Sequence, residues 1–303
     1  MKTLEWLARW IWPLIRPFVS RQKRCARCIL TRDLVDGLCG ECRTTAARAA
    51  ATVQPLVKAP VDLDTLQEAI ILLSGGKDSA YLLDRVRREH PKLTITCVLV
   101  NTGFMSPIAI ENAVSIAART HTELVIINSH INEFKAVLRN AFLELCATKK
   151  ESYGIVDYAE GELIYDIGKR FAAGRPILSG LTHAQLNHIE KEGDRDSFLF
   201  PLDWWRVSEE EIRSANLVSG TPATTNSLLI LPMLILDIKH HGHTSFEKEF
   251  AQLIREGKAD RKTWLYPFEL LEFLVTRGFL DRDLERSLKT LDLTQKELLC
   301  SHT

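Results

Sequence analysis

A hydrophobic run that ends in a double-glycine turn and a lysine constrains this chain more than any other feature. Residues 70–73 read Ile-Ile-Leu-Leu, and apolar residues recur at helical spacing from Tyr81 to Val86. This pattern predicts a buried strand, a tight loop and a helix. Glycines let the backbone approach an anion closely, and the first amides of a helix point at it. The predicted phosphate-binding loop consists of Ser74, Gly75, Gly76, Lys77, Asp78 and Ser79.

The loop differs from a Walker A loop, which needs four residues between its first glycine and a Gly-Lys-Ser/Thr sequence. The run Ser-Gly-Gly-Lys-Asp-Ser instead resembles the signature of the PP-loop ATP pyrophosphatases. In that family the loop holds the pyrophosphate end of ATP while a substrate oxygen attacks the α-phosphate, which gives an adenylated intermediate. The resemblance implies ATP as cofactor and Lys77 and Asp78 as catalytic residues.

Asp78 is the best carboxylate near the phosphates and would act through Mg²⁺, which prefers oxygen ligands. The alternative is that its charge only complements the dipole at the start of the helix. For the loop as a whole, the alternative is a strand-to-helix turn without a ligand.

Strands and helices alternate from Leu66 onward. The predicted strands span residues 70–73, 94–100, 123–127 and 176–178, and the predicted helices include residues 108–118, 131–145 and 157–173. Such alternation is typical of an α/β protein with a doubly wound parallel sheet, whose ligands bind beyond the carboxyl ends of the strands. Several loops should therefore converge on the phosphate site.

Two of those loops carry further candidates. By the same resemblance, the loop after the second strand would hold the adenosine, and the loop after the later strand would complete the site. Their candidate residues are Asn101, Thr102, Gly103, Ser179 and Gly180. His183 follows the later strand as a candidate catalytic residue, with a polar surface histidine as the alternative. Many relatives carry acidic residues at this place, but no acidic pair stands just after His183, so the resemblance does not extend to a second carboxylate on the metal there.

Two Cys-x-x-Cys pairs near the start of the chain are separated by ten residues. Their cysteines are Cys25, Cys28, Cys39 and Cys42. This spacing predicts the four-thiolate site of a zinc ribbon. Disulfides are the alternative, but nothing indicates export and the other three cysteines are scattered. The metal would supply the folding energy of so small a ribbon, and its role would be structural because no coordination position stays open.

The first 24 residues have apolar side chains at helical spacing, interrupted by cations and by Pro13 and Pro17. The segment is too short and too polar to span a bilayer, and it lacks the cleavage site of a signal peptide. Tryptophans flanked by Arg and Lys are typical of an amphipathic segment in a membrane interface. The interfacial residues would be Trp6, Leu7, Trp10, Ile11, Trp12 and Phe18. The alternative is a helix packed on this protein or on a partner.

The charge balance and the histidines limit the kinds of ligand and partner that the sequence predicts. Lys plus Arg and Asp plus Glu both number 39, so no global excess of positive charge attracts nucleic acid. We expect a cytoplasmic protein, with peripheral contact at the cytoplasmic face of the inner membrane. His240, His241 and His243 suggest a metal, but no carboxylate or cysteine at ligand spacing completes the set, and Gly242 indicates a turn after a helix.

Further motifs resemble the N-acetyl-sugar amidotransferase branch of the PP-loop superfamily over roughly residues 25–265. They are the cysteine pairs, Asn-Thr-Gly-Phe-Met at 101–105, Ile-Ala-Ile-Glu-Asn at 108–112, Leu-Ile-Arg-Glu-Gly-Lys at 253–258 and Arg261. The resemblance implies that ATP activates a sugar carboxyl or carbonyl group and that a separate glutaminase subunit supplies ammonia. The product would serve the biosynthesis of lipopolysaccharide or another surface glycan.

Two alternatives stay open. One is thiolation of tRNA or of a small molecule by a PP-loop sulfurtransferase, although a thiol relay needs two reachable cysteines and the catalytic domain offers only Cys97 and Cys146. The other is a non-catalytic nucleotide-binding scaffold. The predicted organisation is an amphipathic segment at 1–24, a zinc ribbon at 25–43, a linker at 44–65, an ATP-binding domain at 66–240 and a C-terminal helical region at 241–303.

Overall fold

The computed structural model describes residues 6–47, 61–148, 150–182, 198–219, 227–257 and 259–299. The chain divides into two compact units. The ribbon unit comprises residues 1–53, 139–157 and 229–303, and the sheet unit comprises residues 54–138 and 158–228. The domain boundaries expected from the sequence stay a prediction.

The sheet unit is built on five parallel strands in the order β3-β2-β1-β4-β5. The strands are β1 (Glu68–Leu72), β2 (Thr94–Asn101), β3 (Glu123–Asn128), β4 (Ile177–Leu178) and β5 (Phe198–Leu199). β1 is the middle strand of the sheet, and four of its five residues are buried, as expected for a parallel strand covered on both faces. The chain leaves β1 toward β2 on one side and returns to β4 on the other, so the strand order reverses between β1 and β4. Ligands bind at such a switch point.

Helices occur in both units and are numbered in chain order. The described α-helices are α1 (Trp12–Ile15), α2 (Gly40–Ala47), α3 (Lys77–Glu89), α4 (Pro107–Arg119), α5 (Ile131–Thr148), α6 (Val156–Ala172), α7 (Pro201–Trp204), α8 (Glu209–Ser214), α9 (Ile230–His241), α10 (Glu247–Arg255), α11 (Arg261–Thr276), α12 (Asp281–Lys289) and α13 (Gln295–Leu298). The predicted strands and helices between residues 70 and 178 are all present, within one to three residues at most ends. β5, which is as short as β4, was not predicted.

The core of the sheet unit lies between the sheet and its helices. Leu82, Leu83 and Val86 of α3 are fully buried and pack in one cluster with Ile71 of β1 and Leu99 of β2. The apolar residues of α3 recur at helical spacing because they pack this helix, which directly follows β1, against the sheet.

The ribbon unit packs the cysteine pairs against C-terminal helices. The four cysteines share a buried cluster with Phe250 of α10 and with Leu265 and Phe268 of α11. The rings of Phe250 and Trp264 stack with their centroids 3.7 Å apart at this contact. The ribbon is too small for a hydrophobic core of its own, and helices more than 200 residues away in the sequence supply the apolar side chains that pack against it.

The N-terminal segment is helical from residue 6 to residue 18, with π-helical geometry at Leu7–Ile11 and 3-10 geometry at Arg16–Phe18 on either side of α1. Trp12 is fully buried, and its indole Nε1 donates a hydrogen bond to Glu269 Oε2 at 3.0 Å. Its ring lies 5.4 Å from that of Phe273. The prediction that Trp12 lies in a membrane interface is therefore wrong, because this side chain belongs to the protein core. Among the described residues, no helix is long and apolar enough to cross a membrane.

Candidate nucleotide site and cysteine cluster

The loop after β1 has a backbone that only glycine can adopt. Gly75 has φ +72°, and a Cβ atom there would lie 1.8 Å from the carbonyl oxygen of Ala109. Gly76 is the N-cap of α3, so the first amides of that helix are at the loop. The loop passes so close to α4 that a side chain at Gly75 would clash with it, which explains why this turn contains glycine.

Two serines brace this loop from within. The Ser79 hydroxyl accepts a hydrogen bond from the Ser74 amide and donates one to the Gly76 carbonyl, both at 3.2 Å. The two hydroxyls lie 3.1 Å apart, and the Gly76 amide donates to the Ser74 Oγ at 3.3 Å. The serines therefore set the curvature of the loop through bonds within six residues of sequence.

Lys77 lies between two carboxylates. Its Nζ is 2.9 Å from Asp78 Oδ1 and 3.1 Å from Glu209 Oε2. The three side chains are 24%, 21% and 16% exposed, respectively, so solvent still reaches them. Burial alone would lower the pKa of Lys77, but the two carboxylates outweigh it and raise that pKa. Burial raises the pKa of Asp78, against the opposing effect of Lys77.

Glu209 is a site residue that the sequence did not reveal. It lies at the start of α8, far from the loop in sequence, and its Oε1 also accepts a hydrogen bond from Arg213 Nε at 2.6 Å. It places a second carboxylate beside Lys77. With Asp78 it places two oxygen donors beside the loop, which is the donor chemistry that Mg²⁺ prefers. No local motif marks Glu209, so only the fold identifies it.

Asn112 of α4 is a second residue that was not predicted to belong to the site. Its buried side chain donates to the Gly75 carbonyl at 3.2 Å and to the Ser219 carbonyl at 2.9 Å. Its Oδ1 accepts from the Ser219 amide at 3.0 Å. Asn112 thus ties the glycine turn to a segment that follows α8.

The loop after β4 meets the loop after β1. A Cβ atom on Gly180 would lie 2.8 Å from the backbone nitrogen of Ser79, so Gly180 contacts the first turn of α3 directly. The buried Ser179 hydroxyl lies 3.2 Å from the hydroxyl of Tyr165 on α6. The structure therefore places Gly180 against the first turn of α3, with Ser179 next to it in the chain. His183 lies outside the described residues, and its role stays a prediction.

The loop after β2 is closed by its own side chains. Asn101 Oδ1 accepts from the Gly103 amide at 3.1 Å, while the buried Thr102 hydroxyl donates to Glu160 at 3.1 Å and accepts from the Phe104 amide. Gly103 has φ +81°, which favours glycine. These contacts shape the loop, and the predicted contact of its residues with adenosine stays untested.

The four cysteines of the two pairs form a closed cluster. Their sulfur atoms all lie within 4.8 Å of one another, all four side chains are buried, and none is in a disulfide. Cys28 Sγ and Cys39 Sγ are 3.6 Å apart, close to the roughly 3.8 Å edge of a zinc tetrahedron with Zn–S bonds of about 2.3 Å. An iron–sulfur cubane has a separate iron at each ligand and would hold the sulfurs farther apart. The thiols therefore fit a single tetrahedral ion such as zinc, and no fourth-position solvent ligand is needed.

Arg261 supports this cluster from the first turn of α11. Its guanidinium donates to the carbonyl oxygens of Cys25 and Cys28, the first at 2.8 Å. It holds the first cysteine pair in place without touching a sulfur. The three histidines near residue 240 serve other purposes, because a ring nitrogen of His240, His241 and His243 lies 3.0 to 3.2 Å from a backbone carbonyl oxygen. Among the described residues, the cysteines are the one group of three or more Cys, His, Asp or Glu side chains that could hold a metal ion.

The loop between β1 and α3, whose sequence resembles the PP-loop signature, lies in a parallel sheet at the point where the strand order reverses. No family model and no curated protein matches the sequence. Among solved structures, the chain is similar to an NMN synthetase from Francisella tularensis, with 16% identity over 72% of this chain and 87% of that one and a TM-score of 0.44.

Two other solved structures give similar values. The NH3-dependent NAD synthetase from Campylobacter jejuni is 16% identical, over 72% of this chain and 88% of that one, with a TM-score of 0.33. The U34-tRNA thiolase NcsA from Methanococcus maripaludis, solved with its [4Fe-4S] cluster, is 16% identical over 87% of this chain and 88% of that one, with a TM-score of 0.34.

Proposed function

We propose that this chain is an ATP-dependent adenylating enzyme that releases AMP and pyrophosphate. The observation that carries the proposal is the partly exposed Lys77 at the glycine turn, beside the N-terminus of α3. A cation, a helix terminus and a glycine backbone at one place are suited to a polyphosphate. Because Asp78 and Glu209 neutralise Lys77 when no anion is bound, phosphate has to replace them as its partner.

The residues have separate roles in this proposal. The amides of the turn and Lys77 bind the pyrophosphate end of ATP and stabilise the charge that develops as it leaves. Asp78 and Glu209 would hold Mg²⁺, which would neutralise phosphate oxygens when bound. Asn112, Ser74 and Ser79 keep the turn in the binding shape. His183 is proposed to act near the α-phosphate.

The proposed reaction is amidation of a sugar in surface-glycan biosynthesis. A carboxylate oxygen of the sugar attacks the α-phosphorus, and the bond to pyrophosphate breaks. Ammonia from a separate glutaminase subunit then attacks the acyl carbon, AMP leaves with the bonding electrons, and the nitrogen loses a proton to water. The resemblance of the motifs between residues 25 and 265 to N-acetyl-sugar amidotransferases supports this choice.

The cysteines of the chain favour nitrogen over sulfur as the entering atom. Burial in β2 raises the pKa of Cys97 to about 12, so this thiol stays protonated and is a poor nucleophile. The Cys146 Sγ lies 2.8 Å from the carbonyl oxygen of Leu298 as a hydrogen-bond donor. Neither thiol has the features of a sulfur relay, and thiolation would need sulfide delivered from elsewhere.

The first experiment identifies the products of ATP turnover. We expect AMP and pyrophosphate, and we expect Lys77→Ala to lower their formation on the order of a hundredfold, because a charge-assisted contact is lost from the transition state. Lys92→Ala is the matched control, since Lys92 is exposed on the same unit. Release of ADP and phosphate would contradict the proposal, and ATP binding without turnover would favour a scaffold.

The second experiment distinguishes the nitrogen and sulfur donors. With sugar-carboxylate acceptors, ammonium should support product formation and sulfide should not. Cys97→Ser and Cys146→Ser should keep most of the activity, because their costs are limited to packing. Loss of turnover in either folded variant, or sulfur in the product, would instead support thiolation.

A further inference from the structure

The N-terminal helical segment exposes a stripe of large apolar side chains. The stripe consists of Trp6, Trp10, Leu14 and Phe18, which are 55%, 58%, 69% and 87% exposed. They recur every four residues, so they share one side of a helical segment. Monomeric proteins rarely leave such a contiguous apolar surface to water, and a patch of this kind marks an interaction site.

The opposite side of the segment is fixed to the ribbon unit. Ala8 and Trp12 are buried, and they stand two residues out of phase with the stripe. Arg16 makes two hydrogen bonds of 2.8 Å to the carboxylate of Glu269, and Trp12 donates to the same group. The segment is therefore a rigid support, and the stripe does not cover part of its own core.

Positive charge is concentrated in the part of the sequence that contains the stripe and the residues after it. Residues 6–32 contain seven Arg or Lys and no Asp or Glu, although the whole chain is neutral. Arg9, Lys23 and Arg27 are exposed, and Arg16 and Arg21 share the single carboxylate of Glu269.

A cleft of about 610 Å³ borders the end of the segment. Its lining includes the cations Arg16, Arg21 and Lys23 and the carboxylates Asp36 and Glu269. Lys23 is exposed, and Arg16 and Arg21 are partly exposed, so these cations can reach the phosphate of a lipid headgroup.

We propose that the stripe of Trp6, Trp10, Leu14 and Phe18 inserts into the interface of an anionic lipid membrane, with the surrounding cations on the headgroups. A lipid interface satisfies both halves of this surface, since it takes up apolar side chains and attracts cations. A nucleic-acid backbone would satisfy the cations but would leave Leu14 and Phe18 without an apolar partner. The proposal is independent of the reaction catalysed in the sheet unit.

The test is binding of the full-length protein to vesicles of phosphatidylcholine, with and without about one-third phosphatidylglycerol. We expect binding to the anionic vesicles, weakening with salt, together with a blue shift of tryptophan emission and quenching by brominated lipid. Leu14→Ser combined with Phe18→Ser should lower the partition coefficient at least about tenfold, because both side chains lose their transfer free energy. Arg9→Gln should lower it about fivefold, and only on anionic vesicles.

Val114→Ser on α4 is the matched control, because Val114 is a 48% exposed apolar residue of the sheet unit. It should leave partitioning unchanged, and equal melting temperatures would show that all variants are folded. Absence of vesicle binding, or binding that the double variant does not weaken, would overturn the proposal. The proposal would also be overturned if the wild-type protein were a dimer that the double variant dissociates. A loss of tRNA affinity in the double variant, with no lipid binding by the wild-type protein, would overturn it as well.

Discussion

Lys77 in the sheet unit and Arg24 in the ribbon unit each contact two carboxylates, yet the two clusters differ in access to solvent. Lys77 and its partners are 16% to 24% exposed. Arg24 donates to Glu247 at 2.9 Å and to Glu272, and these three side chains are only 1% to 8% exposed. Lys77 is therefore exposed enough to exchange its carboxylate partners for an incoming anion, whereas Arg24 is too deeply buried to do so.

Burial decides whether such a cluster is open to an incoming ligand or only holds the chain together. Removing one member of a deeply buried ion pair leaves an uncompensated charge without water, which is costly. A partly exposed pair can be hydrated, so its loss costs little stability. The Arg24 cluster also adjoins Cys25, and through Glu247 and Glu272 it connects the first cysteine pair with α10 and α11.

The largest effect is expected at the four cysteines, which lie next to the Arg24 cluster. Purified protein should contain about one zinc per chain, since four thiolates complete its coordination. Cys39→Ser should abolish zinc binding and unfold the ribbon, because metal binding and folding of such a motif are one equilibrium. Metal analysis and limited proteolysis measure this, with Cys146→Ser as control. A folded, metal-free protein with oxidised cysteines would refute the zinc assignment.

Removal of each cation tests whether exposure separates the two clusters. Arg24→Ala should lower the free energy of unfolding of the ribbon unit by about 3–5 kcal/mol, as expected for a broken buried pair. Lys77→Ala should lower that of the sheet unit by less than about 1 kcal/mol, because Asp78 and Glu209 can be hydrated. Urea unfolding followed by near-UV circular dichroism measures both. Equal losses would show that exposure does not separate the two clusters.

The pH dependence of stability should come from the buried cluster. Burial, with the charges of Glu247 and Glu269, raises the pKa of Glu272 to about 8 against the opposing effect of Arg24. The folded state therefore favours protonated Glu272. The contribution of protonated Glu272 to the free energy of unfolding is fully present below the pKa of about 4.3 that a glutamate has in the unfolded chain. It is lost as the pH rises through the pKa of Glu272 in the folded protein. Unfolding free energy should fall between about pH 5 and pH 8, and Glu272→Gln should flatten that slope.

The smallest effect concerns the exposed cluster. Glu209→Gln removes one of the two carboxylates that compete with an anion for Lys77, so binding of pyrophosphate without Mg²⁺ should tighten by about fivefold at most. Isothermal titration calorimetry measures this, and Glu210→Gln is the control because Glu210 is exposed on the same helix. Weaker pyrophosphate binding would mean that Glu209 holds Lys77 in its binding position.

Much of the site could be predicted because its motifs are local. The residues from Ser74 to Ser79 form their own turn, and the cysteine pairs specify ligands by spacing alone. Glu209, Asn112 and Arg261 could not be predicted as site residues. Each reaches its partner across more than 30 residues of chain. Asn112 and Arg261 belong to motifs that carry the family resemblance, but nothing in those motifs indicates which residue each side chain contacts.

The N-terminal segment shows the same division most clearly. Its sequence by itself determined an amphipathic helical segment with cations, because apolar spacing and charge are properties of neighbouring residues. Only the tertiary structure decided that Trp12 faces the core while Trp6 and Trp10 face solvent. Periodicity sets the angle between side chains but not which side finds a partner. That choice depends on Glu269 and Phe273, residues over 250 positions away whose contacts exist only in the folded chain.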